Sequence, residues 1–403
     1  MKVFFRRIHL YLGLAAGLVI LIACLTGAIL VFEKDLQMAF NKDRYYVRHT
    51  GNKLSADSLV SKVKLAFAGA KINNVKVYGN PERSAEINIT PAAKKETSVT
   101  SSQPLAKKQS PPERQPGHTI FVNPYTGDIL DKYSYRETGF YTVFALHRWL
   151  LGGQNSIGKL IVGISTLIFL FIILTGIILW WPKTKKILQK RLTLKWSAGW
   201  KRINHDLHIV LGFYSSILLF IFAFTGLAWS FEWFNKGIYK VTNSSMKPPP
   251  PPASTYLADA KTISFDQALA TAFLHAADAE YYNVSVPKDS VGTVNVSVLK
   301  NNAVHESATD MLYLDQYSGK LLSKMDFADR NLGARVRSTF KPVHTGSIWG
   351  MPSKIVAFIV CLLGASFPIT GTIMWINRTR KKKKSAGIET VPVRDKEIMM
   401  SQA

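Results

Sequence analysis

Four long apolar runs constrain this chain more than anything else in it: Leu10–Phe32, Lys159–Trp181, Ile209–Phe231 and Lys354–Ile376. A hydrocarbon core roughly 30 Å thick is crossed by about 20 helical residues, so each run is predicted to be a membrane span. Inside lipid the backbone must satisfy its own hydrogen bonds, which makes each span a helix. The chain carries 51 Lys and Arg against 26 Asp and Glu, a formal charge of +25, yet 47% of its residues are hydrophobic. That pairing fits a membrane protein with basic flanks and argues against a nucleic-acid binder. Two cysteines exclude a disulfide scaffold, a zinc ribbon, a Cys-ligated iron–sulfur cluster and covalent c-type haem attachment. Cys24 and Cys361 fall inside spans and read as small hydrophobes.

Charge sets the expected topology. Segments 1–9, 182–208 and 377–403 hold 19 Lys and Arg against 4 Asp and Glu, a net of +15. Positive-inside bias places them in the cytoplasm and the two long segments, 33–158 and 232–353, outside it, in a bacterium the periplasm. The first run continues well past Cys24 to Phe32, longer than a signal-peptide core, so it reads as an anchor. Arg378–Lys384 reads as a stop-transfer anchor that favours anionic lipid.

The two halves repeat each other. His9-Leu-Tyr-Leu-Gly13, Thr26-Gly27 and Phe32-Glu33 match His208-Ile-Val-Leu-Gly212, Thr225-Gly226 and Phe231-Glu232 without a gap; His to Thr is 17 residues in both. The second and fourth spans match through Lys159 and Lys354, then Thr175-Gly176-Ile-Ile-Leu-Trp180 and Thr370-Gly371-Thr-Ile-Met-Trp375. His147 and His344 precede those spans. Phe121-Val-Asn-Pro-Tyr125-Thr-Gly127 and Tyr313-Leu-Asp-Gln-Tyr317-Ser-Gly319 both read as a strand entering a tight turn with glycine at positive φ. Helical stretches Ser55–Gly69 and Ser264–Ala277 lie upstream, with strand-like runs 74–78, 85–90, 282–286 and 293–299. The expected fold is a membrane α-helical bundle of four core transmembrane helices, a duplicated two-helix unit, with two α+β domains outside the membrane. Its divisions are 1–32, 33–146 (with a surface insertion at 94–117), 147–181, 182–208, 209–231, 232–343, 344–376 and 377–403. Pro248–Pro252 reads as a stiff spacer.

A parallel repeat brings equivalent positions face to face across an axis along the membrane normal. His9 pairs in this way with His208, and His147 with His344. Two imidazoles facing each other can ligate one haem iron from opposite sides, and without a Cys attachment site that haem is b-type. A lone histidine at a membrane boundary is more often an interfacial side chain. Four at repeat-related places favour a common task. His205, one turn from His208, has Arg6 as its counterpart and reads as a neighbour of the ligand, near a propionate. His49, His118, His275 and His305 lack mates and read as ordinary. The four Thr-Gly pairs read chiefly as close-packing residues whose hydroxyls satisfy a helix carbonyl. Trp149, Trp180, Trp181, Trp229, Trp233, Trp349 and Trp375 fit interfacial belts.

His147-Arg-Trp-Leu-Leu-Gly152, the Thr-Gly span endings and the Tyr-Thr/Ser-Gly hairpins resemble the PepSY-associated transmembrane proteins, also called PiuB-like or iron-regulated membrane proteins, over about 1–380. The resemblance implies an inner-membrane protein with two periplasmic PepSY domains, and carries the family's helix-associated histidines onto His9, His147, His208 and His344. Some members are haem-containing reductases that release iron from ferric siderophores. The expectation is thus a ferric-siderophore or ferric-chelate reductase with two b haems, fed by a quinol or a cytoplasmic reductase. No Gly-x-Gly-x-x-Gly follows a strand, so a flavin or nicotinamide donor would be a separate protein. The rival is a non-enzymatic permease component or PepSY-mediated interaction protein in iron uptake; four spans without a mid-membrane charge make a poor substrate pathway.

Overall fold

A computed structural model describes residues 1–92 and 117–388. The insertion expected at 94–117, apart from Gly117, and the last residues of the basic tail lie outside them. The described residues fall into two compact units.

One unit is helical. Four helices are long and apolar enough to cross a membrane: Lys2–Val31, Ile157–Trp180, Trp200–Ser230 and one beginning at Met351. The first starts eight residues before the apolar run does, because a basic turn is as good a helix former as the leucines after it. Large apolar side chains such as Leu18, Ile161, Ile217 and Ile359 stand exposed on the helix exteriors, the composition lipid demands. The third helix contains one π-helical turn, Leu207–Leu211, that holds His208. Such turns widen a helix locally and collect at functional sites.

The other unit is built on one antiparallel sheet of eight strands in the order β4-β3-β2-β1-β5-β6-β7-β8. Strands β1 (Lys71–Tyr78), β2 (Ala85–Thr90), β3 (His118–Val122) and β4 (Ile129–Tyr133) come from the first half. Strands β5 (Ala279–Ser285), β6 (Thr293–Lys300), β7 (Asp310–Asp315) and β8 (Leu321–Met325) come from the second. Two separate domains were expected. Instead β1 and β5 pair, from Asn74 with Ser285 to Tyr78 with Tyr281, and the two sheets fuse. The pairing removes two exposed edges, each a template for aggregation. Period-two burial along Ala85–Thr90 puts Ile87 and Ile89 in a core with Val75, Ile120, Leu312 and Leu314, closed by Leu59 and Val63 of the helix Ala56–Ala66 and Leu269 of the helix Phe265–His275. Gly127 and Gly319 hold φ of 74° and 73° in their hairpin turns, as their spacing predicts.

The two helices cap each other. Asp266 accepts from the amides of Ala56 and Asp57 (2.7 and 3.1 Å), and Asp57 from those of Phe265 and Asp266 (3.0 and 3.1 Å). Each carboxylate thus meets the positive end of the opposite helix. These bonds hold the Asp57 carboxyl below the usual range, although burial works against them. Its contribution to stability is complete above the unfolded-state pKa of about 3.9 and is lost as pH falls through the lower folded value. Asp57→Ala is expected to destabilise the sheet unit by about 1–2 kcal/mol, as lost caps do, seen as a lower urea midpoint at pH 7.

Candidate functional site

The site lies in the helical unit and starts from threonine chemistry. A threonine hydroxyl in an apolar helix has one hydrogen and no water, so it donates to the carbonyl one turn back. Thr175 Oγ1 donates to Phe171 O (2.9 Å), Thr370 Oγ1 to Ser366 O (3.0 Å) and Thr26 Oγ1 to Ile22 O (2.6 Å). With its hydrogen spent, the oxygen can only accept, and in each case a histidine approaches it. His9 Nδ1 stands 3.0 Å from Thr175 Oγ1, His208 Nδ1 2.8 Å from Thr370 Oγ1 and His147 Nδ1 3.0 Å from Thr26 Oγ1. His9 and His147 also reach the carbonyls of Ile172 (3.1 Å) and Ala23 (2.9 Å). All these acceptors require the proton on Nδ1, which in His9 and His208 leaves the Nε2 lone pair available to a metal.

The glycine beside each threonine completes the seat. A Cβ on Gly176 would stand 3.3 Å from His9 Cε1, one on Gly371 3.2 Å from His208 Cε1, and one on Gly27 3.3 Å from His147 Cε1. The Thr-Gly pairs, read from sequence as close-packing residues, are imidazole cradles as well. In the first half the arrangement is reciprocal: the first span's histidine rests on the second span's Thr-Gly, and His147, ahead of the second span, rests on the first span's.

The His9 and His208 rings meet edge to face, with centroids 6.3 Å apart and planes at 87°. Neither Nε2 has a hydrogen-bond partner among the described residues. Both histidines line a cavity of about 590 Å³. Gly13, Gly17 and Gly212 give it flat walls on the first and third helices, while Phe169, Phe213, Phe367, Trp180 and Trp375 supply aromatic ones. Trp180 is fixed by stacking on Phe213 at 3.6 Å. Lys2, Arg6, Arg191 and Arg378 also line it, giving an apolar slot a cationic rim. Arg191 is held there by the carbonyls of Leu179 (3.1 Å) and Trp180 at the end of the second span.

His205 lines the same cavity. Its Nδ1 lies 3.2 Å from Asp206, a carboxylate only 2% exposed that also takes Arg202 Nε at 2.7 Å. Asn204, equally buried, donates to Thr370 O (3.1 Å) and ties the third helix to the cradle of His208. His147 belongs to the helical unit. It lies in the last turn of the helix Gly139–Trp149, ahead of a turn where Leu150 and Leu151 take positive φ, 49° and 69°, conformations costly for leucine. Gly158 closes that turn: a Cβ there would lie 1.9 Å from Trp149 O. His344 belongs to the sheet unit, where it is half-buried and ends the helix Leu332–His344. Cys24 and Cys361 are free thiols packed beside Gly364 and Gly27. His118 and His305 are buried in the sheet unit.

Among the described residues no three His, Cys, Asp or Glu side chains come together to hold a bare metal ion.

Four apolar helices around a slot with paired histidines define a multi-pass membrane protein. More specifically, residues 6–378 match the family described as the PepSY-associated TM region, and the chain belongs to that family. No curated protein matches it.

Proposed function

We propose that this protein is an inner-membrane b-haem oxidoreductase that passes electrons across the membrane to a ferric siderophore or another ferric chelate in the periplasm. His9 and His208 would hold one haem; His147, seated on Thr26 and Gly27, would be a ligand of the second. The observation that carries the reading is the seat of His9 and His208. Two imidazoles, each locked in the Nδ1–H tautomer, line one slot, and neither Nε2 has a hydrogen-bond partner among the described residues. The two rings, 6.3 Å apart, would be the residues that hold the haem. The slot also suits the shape of a porphyrin: glycine-flattened and aromatic inside, with a cationic rim for two propionates. Haem bound there would supply one-electron redox chemistry.

The chain's own residues do the rest. Thr175 and Thr370 fix the tautomer and ring direction, which raises the basicity of Nε2. Gly176 and Gly371 let the rings sit flat against the helices. Phe169, Phe213 and Phe367 exclude water, and the low dielectric that results helps set a potential. Duplication of a two-helix unit explains why both halves carry the same His and Thr-Gly pattern, with both termini in the cytoplasm and the sheet unit in the periplasm. Iron release follows from the substrate's chemistry: hard-oxygen chelators favour Fe(III), and Fe(II) sits low in the divalent affinity series.

The test is reconstitution. Protein purified from haem-replete cells should be red, with a Soret band that shifts on dithionite. In liposomes with a reductant sealed inside, it should reduce an external ferric chelate, read as coloured Fe(II)–ferrozine. A colourless protein would remove the reading and leave the permease or interaction role.

A further inference from the structure

A second cavity, in the sheet unit, has a chemistry of its own. About 230 Å³ in volume, it lies where the first-half strands meet the helix Phe265–His275. Its walls are apolar, from Leu59, Val77, Ala85, Leu269, Phe273 and Pro124. Two cations, Lys53 and Arg83, also line it.

Arg83 is the anomaly. Its side chain is 13% exposed, yet it donates no hydrogen bond among the described residues, and its Nε is sealed from solvent without a partner. The guanidinium stacks on Tyr78 at 4.1 Å and stands near Tyr45 and Tyr46 at 5.8 and 5.4 Å. Its closest carboxylate, Glu86, is 3.8 Å away, too far for a hydrogen bond, and already accepts from Tyr78. Lys53 spends one hydrogen on Tyr78 O (3.1 Å) and keeps two. Asp266, the acid lining the cavity, has both oxygens committed to the amides of Ala56 and Asp57. The sealed Nε is out of a ligand's reach, but the terminal nitrogens of a planar guanidinium match a carboxylate bidentately.

We infer that this cavity is a binding site for a small organic carboxylate, its charge held by Arg83 and Lys53 and its apolar body against Leu269 and Phe273. The volume falls below the roughly 300 Å³ at which sites for drug-sized ligands begin, so the ligand is small. The inference does not depend on the haem reading.

Calorimetric titration of the full-length protein in detergent with benzoate tests it, with benzamide as the neutral isostere. Saturable benzoate binding is expected, at least about tenfold tighter than benzamide, and weakened by a similar factor in Arg83→Gln. Lys53→Gln, whose side chain is more exposed, gives the same reading should Arg83→Gln fail to fold. No saturable benzoate binding, equal binding of benzamide, or affinity unchanged in the substituted proteins would overturn the assignment.

Discussion

His208→Ala is expected to lower the haem content of the purified protein from about two per chain to about one, measured by pyridine haemochrome against protein concentration. His208 and His9 line one slot of the helical unit, with ring centroids 6.3 Å apart. Removing one leaves the other as a single weak ligand. His9→Ala should give the same stoichiometry, and the double substitution should lose no more than either alone, because both act on one haem. If the histidines served only the lipid interface, all three proteins would keep the content of the parent. His205→Ala separates ligand from neighbour. His205 is half-exposed, and its Nδ1 is turned to Asp206, so its loss should leave haem content unchanged.

The cradle gives the second large effect, through substitutions that touch no ligand. Gly371→Val is expected to abolish the haem held by His208. The first carbon of the new side chain would already stand 3.2 Å from His208 Cε1, and the valine methyl groups would press on the ring itself. Gly371→Ala is the more informative neighbour. Judged by helix propensity alone, alanine should stabilise this helix by about 1 kcal/mol. Haem loss in a protein that is no less helical would therefore assign the defect to the cradle and not to folding. Thr370→Val keeps the shape of the side chain but removes the oxygen 2.8 Å from His208 Nδ1. Partners of this kind are typically worth 10–100-fold in metal affinity, and a haem-transfer assay to apomyoglobin should show release faster by about that factor. Thr370→Ser retains the acceptor and should restore retention.

How much of this could be read from the sequence differs by element. The spans were legible because lipid permits only helices, so hydropathy alone finds them. Their starts were less so: Lys2–His9, broken by three cations, is still helical. Strands such as Ala85–Thr90 announced themselves by alternation, and the hairpins by Gly127 and Gly319. The fusion of β1 with β5 did not, since nothing in Lys71–Tyr78 marks which edge will meet another strand. The repeat pointed to His9 and His208. It also contained the cradle, in the equal 17-residue spacing from His to Thr-Gly. Small residues in a span have so common a packing role, however, that only the hydroxyl's spent hydrogen and the missing Cβ reveal the second one. The π-helical turn at His208 and the burial of Asn204 and Asp206 left no periodic signal, because each depends on contacts from other helices.

The claim on which the rest depends is that facing imidazoles grip an iron porphyrin. Low-temperature EPR of the oxidised, purified protein tests it most directly. The account predicts a low-spin ferric signal from iron with two nitrogen axial ligands, diminished but not abolished in His208→Ala. A high-spin signal alone, or protein without haem iron, would contradict it.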